Sequence, residues 1–186
     1  MLIQEILENG LRPVGQPEFD ALASRAGEKK MRLFHELFYK VRSEMLESDR
    51  ESWLRLNRIY PHMVAAFSLF SADAPVFILS TKKPEFIAEI LSAEKISLAD
   101  ERIIYSGAEK KMNIVKDVCV RGGFSRATFI DDQIDHLARL DSADGGLIRS
   151  FLASWGYVKP EWLHEPLQVP VLTPEEFLVL VRREYA

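Results

Sequence analysis

The chain has 186 residues, 24 basic against 28 acidic, with a formal net charge of −4; 47% of it is hydrophobic and 28% charged. That length suits one domain, or one domain with a small insert, and the apolar content supports a packed core rather than a disordered chain. The charge balance excludes the strongly basic surface of a nucleic-acid binder and a polybasic membrane patch.

Residues 1–10, MLIQEILENG, place Leu2, Ile3, Ile6 and Leu7 on one helical face and stop at Asn9-Gly10. They lack the basic leader and long apolar core of a signal peptide. The proline- and glycine-rich LRPVGQP that follows reads as a loop. PEFDALASRAG is a helix ending at Gly27. EKKMRLFHELFYKVRSEMLES is the strongest amphipathic helix, with Met31, Phe34, Leu37, Phe38, Val41 and Met45 at three- and four-residue steps. DRESWLRLNRIY is helical, capped by Ser48 or Asp49, and Pro61 opens a further helix in PHMVAAFSLF.

From residue 75 the texture changes. VFILS, RIIYS, ATFID and GLIRSFLASWGY read as strands; KPEFIAEILSA, EKKMNIVKDVCVRG, DQIDHLARL and TPEEFLVLVRREY read as helices. In the last helix Thr173 is placed to cap and Pro174 stands in the first turn. Strands alternating with helices imply crossover units and a mostly parallel sheet, and strands buried on both faces read as unbroken apolar runs, as these do. The expected organisation is a helical region over 1–60 and an α/β core with a Rossmann-like parallel sheet over 61–186. No apolar run approaches the roughly 18 residues of a bilayer span, so neither a membrane nor a nucleic acid is expected as partner, and the expected location is cytoplasmic.

Ligands of open parallel sheets bind outside the carboxyl ends of the strands. Three such ends carry polar groups here: Ser80-Thr81-Lys82-Lys83; Ser106 followed by Lys110 and Lys111; and Asp131-Asp132. Singly, each reads as a helix cap or a solvated charge. Together, a hydroxyl, an ammonium and paired carboxylates at successive strand ends suit a phosphoryl site: the hydroxyl and backbone N–H groups bind phosphate oxygens, the lysine neutralises charge, and the carboxylates hold Mg²⁺. The single cysteine, Cys119, sits in an apolar helical stretch and reads as a buried small hydrophobe. His35, His62, His136 and His164 show no metal-ligand spacing; Trp53, Trp155 and Trp162 read as core or interface residues.

The order and spacing of these segments resemble the haloacid dehalogenase-like (HAD) hydrolases over about residues 58–186. FILSTKKPEFIAEIL resembles the family's second motif, which makes Ser80 the phosphate-binding hydroxyl, with Thr81 beside it. GAEKKMNIV resembles the third motif, whose lysine is Lys111, with Lys110 the rival. ATFIDDQIDHLARL resembles the fourth motif, making Asp132 the better match for a Mg²⁺ ligand, with Asp131 beside it and Asp135 a possible outer carboxylate. Residues 11–57 resemble the helical cap many such phosphatases carry. The resemblance implies a small phosphorylated metabolite as ligand.

The family's first motif, a strand ending in Asp-x-Asp, has no counterpart: the chain contains no Asp-x-Asp. In the family the first aspartate attacks phosphorus and the second is the acid/base, so the expected activity is nil. Either a truncated N-terminus or a degenerate, non-catalytic relative explains the absence. In the family that motif's strand is central, so its slot would be filled by missing residues, a rearranged sheet, or a strand donated by a partner or a second copy in a homo-oligomer. The alternative function is a non-enzymatic phosphate- or Mg²⁺-binding or interaction protein. A receiver-like phospho-acceptor fits less well, because its acidic pair comes first in the chain.

Overall fold

Glycine, proline and short polar side chains set the helix boundaries. The computed structural model describes residues 16–71, 73–107, 109–137, 146–163 and 169–186. The expected helix over 1–10, residues 11–15 of the expected loop LRPVGQP, and Asp141, Asp144 and His164 lie outside them; Gln16 and Pro17, expected in that loop, begin a helix instead. The chain divides into two compact units, Met1–Arg58 and Ile59–Ala186.

In the first unit, α1 (Gln16–Ala26) stops at Gly27, whose φ of 80° is the left-handed region that glycine adopts without strain. Helix α2 (Glu28–Ser48) follows, and α3 (Arg50–Leu56) is capped by Asp49, whose carboxylate accepts the Ser52 N–H at 3.0 Å. Trp53 is fully buried. The apolar stripe of α2 does not form a core as its periodicity suggests: Leu37, Phe38 and Val41 are 50%, 45% and 59% exposed, and no residue of α2 is buried. Its neighbours within this unit, α1 and α3, are shorter and cover only part of its 21-residue surface.

The second unit is α/β. Helix α4 (Pro61–Phe67) opens on proline, and β1 (Ile78–Ser80), α5 (Pro84–Ala93), β2 (Ile103–Tyr105), α6 (Lys111–Gly122) and β3 (Ala127–Asp131) alternate after it. β4 (Ile148–Ala153), β5 (Val171–Leu172) and α7 (Pro174–Glu184) complete it, giving seven α-helices among the described residues. α6 ends on Gly123 at φ 65°. α7 opens with a capping box, Thr173 and Glu176 each accepting the other's backbone N–H.

Every strand pair is parallel, but the strands form two sheets: β1 with β2, and β3-β4-β5 in that order. In place of the single Rossmann-like sheet expected from the sequence there are two separate parallel sheets among the described residues, and β1 and β3 each have one paired edge. β1 is correspondingly only half-buried, and the run from Val76 to Leu79 contributes just two residues to it. β4, paired on both sides, has four of its six residues buried. The two sheets nonetheless share a core: Leu79 of β1, with Met112 and Val115 of α6, packs against the cluster of Phe129, Leu137, Ile148, Leu152 and Val169.

Two further elements depart from expectation. The helix expected after β3 is, in its described part, a single 3-10 turn (Ile134–His136). The two-residue β5 was not expected. α7 is locked onto the β3-β4-β5 sheet by Phe177 and Val181, by Arg149 pairing with Glu184, and by the Tyr185 hydroxyl donating to Thr128 Oγ1 at 2.7 Å. No helix among the described residues is long and apolar enough to cross a membrane.

Candidate functional site

Side chains alternate along a strand, so Phe129 and Asp131 of β3 point to the same face, and both are buried. A carboxylate at that depth needs donors for both oxygens. Asp131 has them. Oδ2 accepts from Lys111 Nζ at 2.7 Å; Oδ1 accepts the Gln133 N–H at 2.9 Å and lies 3.0 Å from His136 Nδ1. The Asp131 side chain is 5% exposed and that of Lys111 13%, so the pair is shielded from solvent. Burial alone pushes the Asp131 carboxyl up, but hydrogen bonds from Lys111, His136 and the Gln133 amide outweigh it and hold the group below the ordinary aspartate range.

Lys111 is the first residue of α6, the helix between β2 and β3, and its contact with Asp131 ties the start of α6 to the end of β3. Lys110, the rival in the sequence, is the exposed N-cap and makes no side-chain capping bond. At the end of β1, Ser80 Oγ accepts the Lys82 N–H at 3.0 Å. This is the local hydroxyl turn common after strands; the hydroxyl keeps its own proton to donate. Thr81, next in the chain, is exposed. The Ser80 carbonyl accepts the Ser106 N–H at 2.9 Å, so the ends of β1 and β2 are tied together. The Ser106 hydroxyl is buried and has no hydrogen-bond partner among the described residues.

Asp132 turns away from Asp131. Its Oδ2 accepts the Tyr157 N–H at 2.7 Å, and Gln133 Nε2 donates to the Tyr157 carbonyl at 3.3 Å. The loop after β4 is therefore pinned across the end of β3. Gly156 permits this approach, because a Cβ there would sit 2.2 Å from the Asp132 Cβ. Asp135 lies exposed on the 3-10 turn.

Both Asp131 oxygens are taken by donors, one Asp132 oxygen takes a backbone N–H, and Asp135 stands apart. Among the described residues no group of three His, Cys, Asp or Glu side chains is set to hold a metal ion. Asp131 has the Lys111 ammonium as its cationic neighbour and Asp132 accepts a backbone N–H, while magnesium ordinarily takes one or two carboxylates together with waters and substrate phosphates.

Lys111 and Asp131 thus meet directly, Ser80 is tied to Lys82 and Ser106 at the ends of β1 and β2, Asp132 serves the β4 loop, and Lys110, Thr81 and Asp135 are exposed. His136, Gly156 and Tyr157 were not read from the sequence as parts of this region. The one available signal is the position of His136 five residues after Asp131, the reach of one tight turn. Cys119 is buried in α6, and burial pushes its thiol up, which disfavours a nucleophilic thiolate. A shallow cavity of about 290 Å³ beside Leu91, Ile96, Leu98 and Ile103 lies at the amino end of β2, away from these groups.

No family model, curated protein or solved structure matches this chain.

Proposed function

We propose that the Ile59–Ala186 unit is a haloacid dehalogenase-like phosphohydrolase scaffold that binds a small phosphomonoester at the carboxyl ends of β1, β2 and β3 without hydrolysing it. The observation that carries this reading is the shielded Lys111–Asp131 contact, 2.7 Å long, at the carboxyl end of parallel strands. A lysine fixed by a buried carboxylate is a positioned donor, with two further N–H groups for an anion. Ser80 supplies a hydroxyl at the end of β1, and Lys110 adds charge at the start of α6, where the helix dipole also favours an anion. The orphaned Ser106 hydroxyl supports the reading further: a buried donor without an acceptor costs about 1–3 kcal/mol, which a ligand oxygen or a water would relieve.

Turnover is another matter. No Asp-x-Asp stands anywhere in the 186 residues, so no aspartate is placed to attack phosphorus as in the family. Asp131 is held by three donors and serves to orient Lys111. Magnesium carries no step in this reading. The division of the strands into two small parallel sheets with open edges supports the expected strand donor as partner, since an open edge can accept an added strand.

Thermal denaturation with inorganic phosphate in a chelator tests the binding. At roughly ten times its Kd, phosphate adds about 1.4 kcal/mol to stability and raises the midpoint; the Ser80→Ala, Lys111→Met double variant shows no rise. An unmoved wild-type midpoint at saturating phosphate overturns the reading. An aryl phosphate assay with Mg²⁺ should show no turnover above background; robust turnover abolished by Asp132→Asn overturns the inactive assignment.

A further inference from the structure

Tyr157 is the most exposed large apolar side chain among the described residues, at 84%. Single exposed aromatics are common and by themselves mean little. This one differs in how its backbone is held. Its N–H donates to Asp132, its carbonyl accepts from Gln133, and Gly156 before it lies against Asp132 with no room for a side chain. Val158 after it packs into the cluster around Phe129 and Leu152. The loop is therefore anchored on both sides of a ring that makes no contribution to the core. It stands at the carboxyl end of β4, in the row of strand ends that holds Asp131 one strand away.

We infer that Tyr157 is a stacking platform that selects phosphomonoesters carrying a flat ring, an aryl or nucleobase group, over those carrying an aliphatic group. The inference rests on the phosphate reading above and names its substrate class. A tyrosine ring loses little rotamer freedom on stacking, and one whose backbone is already fixed loses less. The phosphate would lie toward Ser80 and Lys111, and the ring would extend across the end of β3 to Tyr157. Asp132 and Gln133 act here as positioning residues, because they hold the loop rather than the ligand.

Titration calorimetry with the full chain tests this, using inorganic phosphate, glycerol 2-phosphate, phenyl phosphate and adenosine 5′-monophosphate. Wild-type protein should bind the two ring-bearing esters about fivefold to tenfold more tightly than glycerol 2-phosphate, the gain expected of one stacked ring. Tyr157→Ala should abolish that preference while leaving inorganic phosphate affinity within about twofold, and Tyr157→Phe should keep it. The exposed ring makes the alanine variant's unfolding midpoint the same as wild type, which serves as the folding control. Equal binding of ring and aliphatic esters by wild type, or a preference that survives in Tyr157→Ala, overturns the Tyr157 assignment alone. Failure of all four ligands to bind overturns it together with the phosphate reading, whereas ring esters bound without any response to inorganic phosphate would uphold stacking and overturn only the phosphate seat.

Discussion

Replacing Lys111 by methionine keeps the length of the side chain and removes its charge, leaving Asp131 buried without its ammonium partner. Breaking a buried ion pair by deleting one member costs about 3–5 kcal/mol when the survivor has no other support. Asp131 keeps the Gln133 N–H and His136, so the expected cost lies just below that range, about 2–3 kcal/mol. Native-state hydrogen exchange of the β4 amides, Ile148–Ala153, reads the stability of the α/β unit separately from the Met1–Arg58 unit. A loss of that size accelerates their exchange by roughly 30- to 150-fold. Asp131→Asn should give a comparable loss, and the double variant should recover part of it, with a coupling of about 1.5 kcal/mol. The sign of the pH dependence follows from the direction of the Asp131 shift. A carboxyl held below its ordinary value contributes fully above about pH 4 and loses that contribution as the pH falls through the depressed value. The pair should therefore contribute equally at neutral pH and at about pH 5, and fade only in stronger acid. Exchange rates in Lys111→Met within about threefold of wild type at neutral pH would refute the claim that the pair is buried and coupled.

Other consequences can be measured on the same protein. Gly156→Ala would put a methyl 2.2 Å from the Asp132 Cβ and 2.5 Å from its Oδ2; the displaced carboxylate should release the Tyr157 N–H and cost about 1–3 kcal/mol in chemical denaturation, and a cost under about 0.5 kcal/mol would show that the loop is not pinned. Glu184 is held down to about 2 by Arg149 and then Arg183. Its contribution is present above the ordinary value of 4.5 and is lost as pH falls toward 2. Glu184→Gln should thus cost about 1–2 kcal/mol at neutral pH, a gap that closes in acid; a gap independent of pH would contradict the pairing. Because β1 is paired on one edge and half-buried, amides of Ile78–Ser80 should exchange faster than those of Ile148–Ala153; equal protection would indicate that the β1 edge is covered.

The helices were legible wherever one residue decides a boundary. Gly27, Asp49, Pro61, Pro84, Gly123 and the Thr173–Glu176 box end or begin helices because each satisfies or forbids a specific backbone group, and local chemistry of that kind is visible in sequence. The α/β alternation followed from the unbroken apolar runs. What periodicity could not show is which apolar surface finds a partner: the α2 stripe has the spacing of a core face, yet Leu37 and Val41 are exposed. Nor could it show strand length, which depends on pairing, so VFILS yields a three-residue β1 and Val171–Leu172 pairs for only two residues.

Of the candidate site, the residue types were legible and the contacts were not. Ser80, Lys111 and the acidic pair stand at or near strand ends, as their positions in the sequence imply. Between the two aspartates, the resemblance favours Asp132 as a Mg²⁺ ligand, while it is Asp131 that Lys111 contacts. The alternation of Phe129 and Asp131 on one face contains that answer. The bonds Asp131 accepts from Gln133 and His136 also account for a tight 3-10 turn where a helix was expected. Gly156 and Tyr157 reach the site through tertiary approach of the β4 loop, which no local pattern encodes.

The most direct test of the phosphate seat is a map of backbone amide chemical shifts during titration with inorganic phosphate. The expected shifts fall on residues 81–83 after β1, on 106–107 after β2, on 109–113 at the start of α6, and on Gln133 after β3, and they disappear in the Lys111→Met, Ser80→Ala double variant. Saturating phosphate that moves none of these amides, or moves only those lining the cavity at Leu91, Ile96 and Ile103, would contradict the assignment.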